Sequence, residues 1–67
     1  GFQHLAFLVE DIKQTVADLE PEGLKPILDY QFVTEQSGRK ILVQEVYLNS
    51  AEFVGGSTIQ LMQFTPQ

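Results

Sequence analysis

The sequence predicts an α+β fold: a single β-α-β-β-β unit with one helix packed on one face of a four-stranded, mostly antiparallel sheet. Three features predict it. Residues 2–9 alternate in side-chain character and run straight into a capped, amphipathic segment. Ser37–Gly38 separates two extended runs, as a hairpin turn does. The stretch after Gly55–Gly56 alternates again and closes the chain as a fourth strand.

In Phe2–Val9, Leu5, Phe7 and Val9 share one face, which is wholly apolar and expected to be buried. Phe2, His4, Ala6 and Leu8 share the other, where a polar group sits among apolar neighbours. Asp11 is a suitable N-cap, with Gln14 placed three residues on as a capping-box partner. Ile12, Val16 and Leu19 then form one helical stripe, and the simplest packing sets them against Leu5, Phe7 and Val9. Pro21 is awkward inside a helix, so the helix is expected to stop near Glu20, with Gly23 turning the chain out.

Pro26 argues for an edge position or a late strand start. Tyr30–Gln36 and Arg39–Asn49 read as the two arms of the hairpin. In the second arm Ile41, Val43, Glu45 and Tyr47 share one face; Leu42, Gln44, Val46 and Leu48 share the other. Both faces are largely apolar, whereas a sheet with one solvated face alternates more cleanly. The face away from the helix is therefore expected to be covered by a second domain, another subunit or a ligand. Ser50–Gly56 reads as a loop and Ser57–Phe64 as the last strand, with Ile59, Leu61 and Gln63 opposed to Thr58, Gln60, Met62 and Phe64.

Sixty-seven residues make one small domain over residues 1–67, and a chain of that size buries only about 60% of its unfolded surface. It has no cysteine, so neither a disulfide nor a thiolate site is available. Small domains without such staples often draw stability from a partner. Four basic residues against nine acidic ones, a formal charge of −5, argue against nucleic acid or an anionic membrane as the main partner. The longest apolar run falls far short of the roughly 18 residues that span a bilayer. With no signal-peptide pattern, a cytoplasmic location is expected. The chain opens on Gly and enters a strand at once, which reads as a piece of something longer.

Three side chains could carry chemistry. His4, in mid-strand on the mixed face, suits a metal ligand or a proton carrier; a hydrogen-bonded structural histidine is the plainer reading. Gln60, between Thr58 and Met62, offers an amide oxygen to a divalent cation but has no titrating proton with which to act as a base. Glu45 is the acidic residue flanked at both i±2 positions by apolar side chains within a predicted strand. That setting suits an acid or base, and equally a charge at the sheet rim. The other acids, Asp29 and Glu35 among them, are placed in loops or on the helix surface. No glycine-rich phosphate loop follows a strand, and no Ser-His-Asp set is visible.

The opening His4-Leu5-Ala6-Phe7-x-Val9-x-Asp11-Ile12, followed by Thr15-Val16-Ala17-x-Leu19 and Gly23, resembles the start of a module of the vicinal oxygen chelate superfamily. That group includes glyoxalase I, methylmalonyl-CoA epimerase, extradiol dioxygenases and bleomycin-resistance proteins. The closing Gly55-Gly56-Ser57-Thr58-Ile59-Gln60-Leu61-Met62 resembles its last strand, usually written G-x-x-I-E-L. The wording of the opening is most similar to the epimerase and glyoxalase-like branch.

The resemblance implies half of a two-module cup, with one metal ligand from the first strand and one from the last of each module. His4 and Gln60 match those two positions. It further implies a divalent ion (Zn, Ni, Co, Mn or Fe) and a second module of the same fold, either a second copy or another part of a longer chain. The substrate would be a small carbonyl or thioester compound, with reaction through an enediolate. Gln60 departs from the family's usual Glu, which in several members also moves the proton; any base must then come from the partner module or from Glu45. The alternative implied function is a non-enzymatic, bleomycin-resistance-like module that sequesters a small molecule without a catalytic metal. The Glu-to-Gln difference favours it, as does the apolar company of Phe2, Leu8, Met62 and Phe64.

Overall fold

The computed structural model describes residues 4–49 and 58–67, and of His4 the backbone alone. The elements are β1 (His4–Leu8), α1 (Ile12–Leu19), a 3-10 turn (Glu20–Glu22), β2 (Pro26–Gln36), β3 (Arg39–Leu48) and β4 (Thr58–Pro66). They form one mixed sheet in the order β1-β4-β3-β2, parallel between β1 and β4 and antiparallel elsewhere. The predicted α+β class and β-α-β-β-β order are those observed. The expected loop over Ser50–Gly56, and Phe2, Gln3 and Ser57 at the expected strand ends, lie outside the described residues.

The helix starts where its donors find acceptors. The Asp11 carboxylate accepts from the Gln14 amide at 3.1 Å, and the Thr15 hydroxyl donates to the Asp11 carbonyl at 2.9 Å. Gln14 does not close the capping box; its side-chain amide donates to Asp18 one turn on, at 2.8 Å. A second cap comes from far along the chain, where Gln63 Oε1 in β4 accepts from the Ile12 amide at 2.7 Å. At the other end Pro21 is accommodated by a 3-10 turn, and Gly23 takes the left-handed conformation (φ 89°) that lets the chain leave.

The hairpin turns on Ser37 (φ 52°) and Gly38 (φ 77°). Positive φ at both central residues is the type I′ pattern, whose twist matches that of the strands it joins. The turn pairs Gln36 with Arg39 and thereby sets every pair behind it, including Tyr30 with Glu45 and Phe32 with Val43. β2 begins earlier than expected, at Pro26, with a register irregularity between Pro26 and Leu28. It lies at the sheet edge, where a proline is tolerated. Asp29 consequently sits within a strand rather than in a loop, and Glu35 lies in the same strand, inside the arm expected over Tyr30–Gln36.

The buried cluster is Ile12, Val46, Leu48 and Leu61, with Val9, Val16, Leu19, Leu24 and Ile59 packed against it. This corrects the expected packing of α1 on Leu5, Phe7 and Val9. Only Val9 of those three joins the cluster; Phe7 is 50% exposed and Leu5 is also exposed. The cause is strand order: β1 is an edge strand, and α1 lies over the two central strands, β4 and β3. Leu48 is fully buried, so Leu48→Ala should cost about 3 kcal/mol in urea unfolding, within the range for cavity-creating core truncations. Leu8, 67% exposed, should cost under about 0.5 kcal/mol when truncated. Equal losses at the two positions would contradict this placement of the core.

Candidate functional site

On the face opposite the helix, the register lines side chains up in rows. Ala6, Gln60, Tyr47 and Leu28 make one row, Leu8, Met62, Glu45 and Tyr30 the next, and Phe64, Val43 and Phe32 a third. Glu45 therefore stands on the central strand β3 with an edge strand's tyrosine directly opposite and β4's glutamine on the diagonal. Its Oε1 accepts a hydrogen bond from the Tyr30 hydroxyl and another from the Gln60 amide nitrogen, each 2.7 Å long. Three strands thus converge on one carboxylate oxygen.

The arrangement sets the state of its members. The bond to Glu45 is the first cause holding the Tyr30 hydroxyl protonated well above the ordinary tyrosine range, with desolvation second and Tyr47 third. Tyr30 is therefore a neutral donor, even though 39% of its surface meets solvent. Gln60 spends its nitrogen on Glu45, and among the described residues nothing donates to its oxygen. The amide is thus held with its acceptor atom directed away from the carboxylate. Tyr30 stacks at 6.2 Å on Phe32 and 6.4 Å on Tyr47, with interplanar angles of 17° and 19°. A row of three nearly parallel rings borders the carboxylate.

Glu45 and Gln60 are thus brought together on one face. The backbone of His4 pairs with Thr58, two residues before the Ala6–Gln60 pair, so its register position belongs to the same face on the neighbouring strand. Its side chain lies outside the described residues, and among those described no three His, Cys, Asp or Glu side chains converge. Sequence reasoning missed Tyr30 as Glu45's partner. The signal was there: a two-residue turn at Ser37–Gly38 places position 30 opposite position 45. It also missed Gln63 as a helix cap, and no local pattern marks a contact 51 residues away.

Glu45→Gln should let Tyr30 ionise closer to the ordinary tyrosine range, read from tyrosinate absorbance in an alkaline titration. The sign for stability follows from a folded-state value raised above the unfolded one. The contribution is fully present below about pH 10, the unfolded tyrosine value, and is lost as pH rises through the folded value. The unsubstituted protein should accordingly lose stability above about pH 10 more steeply than Glu45→Gln. Identical alkaline titrations of the two would remove Glu45 as the cause.

Comparison with protein-family models, with curated proteins and with solved structures finds no match to this chain.

Proposed function

We propose that the chain is a vicinal-oxygen-chelate-type module, one half of a paired cup, acting in a glyoxalase- or epimerase-like enzyme on a small carbonyl or thioester substrate. One observation carries the reading. The first and last strands are neighbours, and the register positions of His4 and Gln60 fall on one face, opposite the helix. The exposed apolar side chains on that face, among them Leu28, Phe32 and Phe64, support a second module of the same fold as the cover. A cytoplasmic setting goes with this reading, and no helix among the described residues is long and apolar enough to cross a membrane.

The donors present fit a divalent cation in kind. An imidazole and an amide oxygen are accepted ligands for first-row metals, and Gln60's nitrogen is already committed to Glu45, which leaves its oxygen as the donor. Glu45 would then orient a metal ligand, as outer carboxylates commonly do. Two ligands from one module need two more from its mate, since such sites take about four, or three and a water. A divalent ion there would supply Lewis-acid polarisation of a substrate carbonyl. The chain's own part is narrower. Gln60 cannot carry a proton, Tyr30 keeps its own, and Glu45 is the titratable group positioned to exchange one with a substrate on this face.

The second reading, a binding module without catalytic metal, is favoured by the ring row of Tyr47, Tyr30 and Phe32, a surface suited to an apolar or aromatic ligand. One experiment separates the two. His4 is the only histidine, so its imidazole resonances report metal binding without assignment ambiguity. Titration of the assembled two-module form with Ni²⁺, Co²⁺ or Zn²⁺ should shift or broaden them, and Gln60→Ala should weaken the effect by about tenfold or more. Unchanged imidazole signals would exclude the metal reading, and saturable binding of an apolar ligand on the ring row would then decide for sequestration.

A further inference from the structure

The opposite face of the sheet carries a second feature that owes nothing to the reading above. Helix α1 covers β4 and β3 and leaves the helix-side flank of edge strand β2 exposed. Between helix and strand runs a groove of about 270 Å³. Its floor is apolar: buried Ile12 and Val46, with half-buried Val16 beside them. Lys13 stands on the helix wall. On the sheet wall are Asp29 and, two residues along β2, Gln31, which pairs with Gln44 of β3 so that two amides stand side by side.

Among the described residues the side chains of Lys13, Asp29, Gln31 and Gln44 make no hydrogen bond or ion pair with one another or with other described groups. The helix N-terminus is not available to a ligand, since Gln63 and Asp11 already accept from the Ile12 and Gln14 amides. Of the charged groups lining the groove, Lys13 is the one that attracts a negative group. A plain anion is opposed by Asp29 and a plain cation by Lys13, whereas a ligand bearing both charges satisfies each. The volume lies below the roughly 300–1,000 Å³ of drug-sized sites.

We infer that this groove binds a small aliphatic α-amino acid. Lys13 takes the carboxylate, Asp29 the ammonium, and Gln31 and Gln44 offer further hydrogen bonds. Ile12, Val16 and Val46 receive the side chain. The site lies on the other side of the sheet from Glu45, Gln60 and His4, so it stands whether or not that face holds a metal.

The test is a titration of the full chain with L-valine, followed through the backbone amides of Val16 and Asp29 and the side-chain amides of Gln31 and Gln44. Isovalerate, which lacks the ammonium, and isobutylamine, which lacks the carboxylate, are run beside it. The expected result is saturable shifts with valine and at least tenfold weaker responses to either analogue. Lys13→Ala and Asp29→Asn, both at exposed positions, should each weaken valine binding by about tenfold. Absence of saturation with valine, equal responses to all three compounds, or unchanged affinity in both variants would overturn the assignment.

Discussion

The structure depends on the insertion of β4 between β1 and β3. The last strand hydrogen-bonds to the first along one edge and to the hairpin along the other, so the sheet exists as a single body only because of it. This strand contributes to the core, to the carboxylate cluster and to the helix cap. Leu61 enters the core beneath α1, Gln60 reaches Glu45 on the far face, and Gln63 caps the helix that follows β1. Successive side chains of a strand point to opposite faces, so one short segment serves the core and the site at once.

The two faces divide the work differently. On the helix side, burial of Ile12, Val46, Leu48 and Leu61 supplies a dry core, small as befits a chain of 67 residues. On the other side a half-buried carboxylate is held by two short hydrogen bonds among aromatic rings. Removing water from a carboxylate costs free energy unless donors replace it, and Tyr30 and Gln60 are those donors. The same bonds that make Glu45 tolerable there orient it. They also keep the Tyr30 proton in place and turn the Gln60 oxygen outward, so a structural requirement and a chemical disposition have one cause.

The helix shows how local and distant signals combine. Asp11 marks its start in the sequence, and Pro21 and Gly23 mark its end. Yet the first amide of the helix, that of Ile12, is satisfied by Gln63 from β4. This bond orders the helix relative to the sheet as well as capping it. Because α1 is drawn over the central strands, the flank of β2 is left uncovered and the groove beside Lys13 and Asp29 results.

Much of this was legible in the residues themselves. Alternation assigned Gln60 to the face away from the stripe of Ile12, Val16 and Leu19 and grouped Glu45 with Ile41, Val43 and Tyr47, and the Ser37–Gly38 turn contained the pairing of Tyr30 with Glu45. These are local matters: a period of two marks a face, a period near 3.6 marks a helix, and a two-residue turn sets a register. What alternation cannot carry is the order of strands, because a strand's pattern is the same whichever neighbour it has. That is why Leu5 and Phe7, apolar and on the helix side, are placed wrongly under the helix by sequence and are found at an exposed edge. Face, and the register of the hairpin, were therefore determined by the chain alone. The choice of neighbours, and with it the meeting of Glu45 with Gln60 and of Gln63 with Ile12, was decided only when backbone hydrogen bonding joined the two ends of the chain side by side.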